Sequence, residues 1–162
     1  MHSDMTSKIP KEDMLYFYKE AEHSIRRRYN HVLHKKGDYL NRFFNFIFQD
    51  SYMQPHLHPG PKMTEKMYLI EGSFALITFN NNGAINKITT LSIGERDYIE
   101  VPPKTWHTYV MLTEKAVIYE TMEGIYDPQT WKEQADWAPL ENTEKANDYF
   151  LHLMKNVTEH TS

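Results

Sequence analysis

Seven short segments between Asn41 and Thr121 constrain the fold more than any other feature of the chain. NRFFNFIF (41–48), EKMYLI (65–70), SFALITF (73–79), INKITTL (85–91), DYIEV (97–101), WHTYVML (106–112) and AVIYET (116–121) are all rich in β-branched and aromatic residues. Gly72, Gly94, Glu114-Lys115 and, most clearly, Asn82-Gly83 separate them. Asn-Gly supplies the two positive-φ residues of a type I′ hairpin, here between SFALITF and INKITTL. Many short strands at such spacing predict an all-β sandwich or small barrel. Strand alternation puts Phe44, Phe46 and Phe48 on one face.

The flanks read differently. Residues 11 to 28 predict a helix, with Met14, Leu15, Tyr18, Ala21 and Ile25 as its apolar stripe and Pro10 at its start. Ser24 to Arg28 follow on its last turn, where cations complement the helix dipole. Residues 29 to 40 are polar and read as irregular. After Glu123 the chain is mostly loop, until a last helix from Thr143 to Lys155 with Ala146, Tyr149, Phe150, Leu153 and Met154 on its apolar face. The expected organisation is a single domain: an N-terminal helical extension over 1–40, a β-barrel over 41–123, and a C-terminal loop and helix packed on the barrel over 124–162.

A length of 162 residues fits one such domain. The net charge of −4 argues against nucleic acid, which wants a basic face. With no cysteine, a metal site must be built from nitrogen and oxygen. The N-terminus has no apolar core like that of a signal peptide, and no run approaches eighteen apolar residues. A cytoplasmic protein that spans no membrane is expected.

QPHLHP (54–59) carries the chemistry. On a strand, His56 and His58 project to one side, where two imidazoles can chelate one ion. The alternative is a solvent-exposed pair beside a turn. Glu65 opens one strand and His107 another. Three histidines and a carboxylate on β-elements make a set for a divalent ion. Tyr52 and Gln54 share the parity of His56, Tyr109 and Met111 that of His107, and Met67 and Leu69 that of Glu65. These either line a ligand cavity or fill the barrel core. Arg26, Arg27 and Arg28 read as a carboxylate- or phosphate-binding rim or as a solvated helix end.

The arrangement resembles the cupin superfamily, whose motifs are G-x5-H-x-H-x3-4-E-x6-G and G-x5-P-x-G-x2-H-x3-N. His56, His58, Glu65 and Gly72 match the first motif; Gly94, Pro102 and His107 match the second. Six residues separate His58 from Glu65 instead of three or four, Lys104 replaces a glycine, and Met111 replaces an asparagine. The chain is similar, more closely, to WbuC-type cupin-fold metalloproteins, through SIRRRYN (24–30), QPHLHP, TFNNNG (78–83), EVPPKTWH (100–107), EGIYDP (123–128) and WAPLE (137–141). The resemblance implies an all-β cupin (double-stranded β-helix, jelly-roll) barrel with helical extensions at both ends. It implies one divalent metal ion (Zn, Fe, Mn, Ni or Co) on His56, His58, Glu65 and His107, and a homodimer. Arg28, Asn30 and His34 fall where the pattern is polar and join Tyr52, Gln54 and Tyr109 as ligand-contact candidates. No catalytic residue stands out.

Three functions remain open at this level. The first is a metal-dependent enzyme, an isomerase, epimerase or dioxygenase, acting on a small polar molecule; the resemblance points to saccharide or surface-polysaccharide metabolism. The second is a non-catalytic module that binds a small ligand. The third is a metal-free cupin sugar isomerase or epimerase whose histidines serve as acid and base.

Overall fold

A computed structural model describes residues 9–161; the first eight residues of the expected N-terminal extension and Ser162 lie outside it. Its elements are α1 (Lys11–His23), β1 (Arg28–Val32), β2 (Leu40–Phe48), β3 (His56–Leu57), β4 (Glu65–Glu71), β5 (Ser73–Phe79), β6 (Ile85–Ser92), β7 (Tyr98–Val101), β8 (His107–Met111), β9 (Lys115–Glu123), β10 (Glu133–Gln134) and α2 (Glu144–Thr161). Two five-stranded antiparallel sheets face each other. One runs β1-β2-β9-β4-β7 and the other β10-β3-β8-β5-β6. No helix among the described residues is long and apolar enough to cross a membrane.

Strand alternation divides the apolar residues among three layers. Met67, Leu69, Phe74, Leu76, Tyr109, Met111 and Ile118 point between the sheets and form the interior core. Phe44 and Phe46 point outward from β2 and are covered by Phe17, Tyr18 and Ala21 of α1. Ala75, Ile77 and Val110 point outward from the second sheet and are covered by Leu153 and Val157 of α2. Each sheet is therefore buried on both faces, which explains the near-continuous apolar runs of β5 and β8.

Four local expectations are corrected. The N-terminal helix stops at His23 because Ser24 is extended and Arg27 adopts a left-handed φ of 58°. Its buried stripe is Phe17, Tyr18 and Ala21; Leu15 and Ile25 are 57% and 78% exposed. Part of the stretch read as irregular, Arg28–Val32, is a strand paired with β2 from Arg28↔Ile47 to Val32↔Phe43. The Asn82-Gly83 turn is not type I′, since only Gly83 of the two has positive φ. Gly83 N–H instead closes a turn onto the Asn80 carbonyl, and the register slips after Thr78. This is a turn followed by a left-handed residue, with a bulge. The last helix runs to Thr161, past the expected Lys155.

Gly83 carries a second constraint. A Cβ there would lie 2.8 Å from the Trp137 ring, on top of the unfavourable φ of 87°. Gly83→Ala is expected to cost about 1–2 kcal/mol through both effects. Thermal unfolding checks this, and an unchanged midpoint would contradict it.

Candidate metal centre

Backbone pairing brings the histidines together. β3 lies between β8 and β10, with His56 opposite His107 on one side and Gln134 on the other. Lys104, at a left-handed φ of 59°, donates its N–H to the His58 carbonyl and holds the loop before β8 against QPHLHP. The long interval between His58 and Glu65 is taken up by a turn in which Met63 N–H bonds the Gly60 carbonyl. Glu65 still enters β4 facing the interior.

His56, His58, Glu65 and His107 are all buried, and one ligand atom from each lies within 4.8 Å of every other. Glu65 Oε2 is 2.8 Å from His107 Nε2 and 3.2 Å from His58 Nε2. Each imidazole is also held from behind. Nδ1 of His56 faces the Gln54 carbonyl at 3.1 Å, that of His58 the Trp131 carbonyl at 2.9 Å, and that of His107 the Thr105 carbonyl at 2.8 Å. A carbonyl only accepts, so every Nδ1 carries the proton and every neutral ring offers its Nε2 lone pair. Outer-shell bonds of this kind fix the tautomer and orientation of metal-binding histidines. Without a cation, His58 and His107 would both need a second proton to face the same carboxylate oxygen. Three imidazoles and one carboxylate, buried and preset in this tautomer, could hold a divalent ion.

The electrostatics follow from burial. Burial, then the neighbouring His107, pushes His56 well below the ordinary histidine range. Burial alone would raise Glu65, but the hydrogen bond and charge of His107 and the bond from His58 outweigh it and hold Glu65 well down. Burial also opposes charge on His58, yet the bond to Glu65 and its charge raise it overall.

A second carboxyl beside the site escaped the sequence reading. Glu120 of β9 is fully buried, accepts the Tyr109 O–H at 2.9 Å and Asn45 Nδ2–H at 3.2 Å, and bonds Glu65. Burial and then the Glu65 charge push it well above the carboxylate range, so it is the protonated partner and donates to Glu65. Its signal was the parity of β9, where Ala116, Ile118, Glu120 and Met122 alternate on one face: an acid in an apolar row.

A cavity of about 410 Å³ opens from His56, His58 and Glu65, with the fully buried His107 outside its lining. Of the ligand-contact candidates, Arg28, Asn30, His34 and Tyr109 line it. Tyr52 and Gln54 are absent from its walls. Tyr52 packs under α2 and donates its O–H to the Pro139 carbonyl, while Gln54 Nε2 ties down the Ala135 and Ala138 carbonyls. Strand parity does not carry to them because residues 50–55 form no strand. Met67, Leu69 and Met111 belong to the core. Arg26 and Lys132 also line the cavity, along with Trp131. The arginine run does not form a single rim: Arg26 and Arg28 meet Glu141, whereas Arg27 pairs with Asp50.

A family described as "Domain of unknown function (DUF6016)" matches residues 9–91, just over half of the chain. The chain belongs to the DUF6016 family. No curated protein sequence matches it. Among solved structures, this DUF6016 protein is similar to protein SO0799 from Shewanella oneidensis, with a TM-score of 0.59 and 12% identity over 76% of this chain and 83% of that one. It is also similar to an uncharacterized conserved protein with a double-stranded β-helix domain from Klebsiella pneumoniae, with a TM-score of 0.52 and 14% identity over 67% of this chain and 80% of that one. A variant of Bacillus subtilis oxalate decarboxylase matches with a TM-score of 0.50 and 18% identity, over 66% of this chain but only 32% of the enzyme. At these identities the likeness concerns the fold, and the fold is the cupin, or double-stranded β-helix, barrel.

Proposed function

We propose that this DUF6016 protein is a metal-binding cupin in which His56, His58, Glu65 and His107 hold one divalent ion at the floor of a cavity for a small polar molecule. The observation that carries this reading is the set of three Nδ1–carbonyl bonds, which leave all three Nε2 atoms to face an ion, those of His58 and His107 already against Glu65. A bound ion would supply Lewis-acid polarisation of a ligand oxygen, or an ionised water near neutral pH. The chain's own contribution is to orient the ligands, exclude bulk water, and keep a proton on Glu120 beside Glu65.

The WbuC-type motifs support a role in saccharide metabolism, with isomerase, epimerase or dioxygenase chemistry as the candidate activities. A screen of saccharide and keto-acid substrates on the metal-loaded protein tests this, and no metal-dependent turnover would leave the ligand-binding module. The metal-free reading draws on the His107–Glu65 bond, which could serve acid–base chemistry directly. Metal quantification separates the two. The same proposal takes residues 1–40, 41–123 and 124–162 as one functional unit, active as a cytoplasmic homodimer. A monomer mass by light scattering would remove the dimer.

Metal binding must displace the proton that the Glu65 contact favours on His58, so affinity is expected to fall as the pH drops. Calorimetric titration in buffers of different ionisation enthalpy should register proton release. A pH-independent affinity with no proton release would contradict the ligand set.

A further inference from the structure

The charge balance of the cavity indicates what kind of molecule it takes. Arg28 lies deepest, with a side chain 3% exposed and Nη2 bonded to Glu141 Oε1 at 2.6 Å. Arg26, at 46% exposure, reaches the other oxygen of the same carboxylate at 3.4 Å. Lys132 is exposed, lines the same cavity and makes no ion pair among the described residues. Two of the three cations thus share one carboxylate, and the third pairs with none among the described residues. Enclosure by the cavity walls, then the charges of Arg26 and Arg28, lowers the Lys132 pKa, as expected for like charges held together. Glu65 also acts on Lys132, but its carboxylate is turned to the imidazoles.

One loop builds both ends of the site. The Trp131 carbonyl orients His58, Lys132 is the next residue, and β10 then pairs with β3 through Gln134↔His56. The cationic wall is therefore fixed relative to the ligands and does not float on a free side of the barrel. Trp131 and Tyr126 meet edge to face at 5.1 Å and give the cavity an aromatic wall.

We propose that the cavity receives a small molecule through an oxyanion group, carboxylate or phosphate, which docks on Arg26, Arg28 and Lys132 while the rest of the molecule faces His56, His58 and Glu65. Guanidinium forks match both oxyanions, and a lysine adds a point charge. The inference rests on the metal-centre reading and names the ligand class for that same cavity.

The test uses metal-loaded full-length protein with inorganic phosphate and malonate as probes, followed by calorimetry. Arg26→Met and Lys132→Met are combined in one variant, because both side chains reach solvent and neither is a metal ligand. The expected result is that at least one probe binds the parent protein, that its affinity falls at least tenfold in the double variant, and that metal content stays unchanged. Tighter binding of phosphate would assign the anion as a phosphate, and tighter binding of malonate as a carboxylate. No binding of either probe, or a fall smaller than tenfold, would overturn the proposal. Metal content measured on the same samples keeps these outcomes apart from failure of the metal centre itself: a protein that holds its ion but ignores both anions refutes only the ligand class.

Discussion

His107→Ala is expected to weaken metal binding by more than the roughly 10–100-fold that loss of an outer-shell partner costs. His107 is fully buried and first in β8, and its Nε2 is 2.8 Å from Glu65 Oε2. Removing it deletes one donor and takes from Glu65 the strongest of the contacts that keep it ionised, so the carboxyl moves back toward its protonated form. Both effects act against a divalent ion. Competition with a chromophoric chelator measures the change. A variant that binds within tenfold of the parent would mean that His107 serves the barrel and not an ion.

Arg28→Ala is expected to destabilise the fold by about 3 kcal/mol. Its guanidinium is buried and bonds Glu141, the Ser51 hydroxyl and the Tyr52 carbonyl. Breaking a buried pair by removing one partner costs roughly 3–5 kcal/mol because the other charge is stranded; the lower end applies because Glu141 is 19% exposed. For a chain of this length that corresponds to a midpoint lower by roughly 10 °C. The pH dependence gives a second readout. Burial would raise Glu141, but the Arg28 charge and hydrogen bond outweigh it and hold the carboxyl below its ordinary value. Stability from a depressed carboxyl is present above the unfolded pKa and is lost as the pH falls through the folded one. The gap between parent and variant should therefore be full at neutral pH and shrink below about 4.5. A gap that is constant across this range would assign the loss to packing alone.

The sequence shows the barrel clearly because turn residues bound nearly every strand, and the composition within each strand is consistently β-branched or aromatic. The four candidate ligands are also visible, since H-x-H and the W-H that opens a strand are short signals with fixed chemistry. The first strand is hidden for a physical reason. Arg28, Asn30 and Val32 share the face that lines the cavity, while Tyr29 and His31 stack on Phe17 at the outer face, so polar residues point inward where the barrel holds its site. Glu120 is hidden in the same way, as the acid in a row that otherwise reads as core. Tyr52 and Gln54 show the opposite failure. Their parity with His56 is sound only on a strand, and the chain between Asp50 and Pro55 is irregular, so they hold the C-terminal loop instead of the cavity. Long-range pairing was beyond periodicity altogether: nothing local in WAPLE says that Glu141 meets Arg28 across the fold.

Elemental analysis of metal per chain, in the parent protein and in His56→Ala/His58→Ala, tests the central claim most directly. About one divalent ion per parent chain, lost in a variant that still folds, is the predicted result. No ion in the parent after reconstitution, or an ion retained in the variant, would contradict the metal centre.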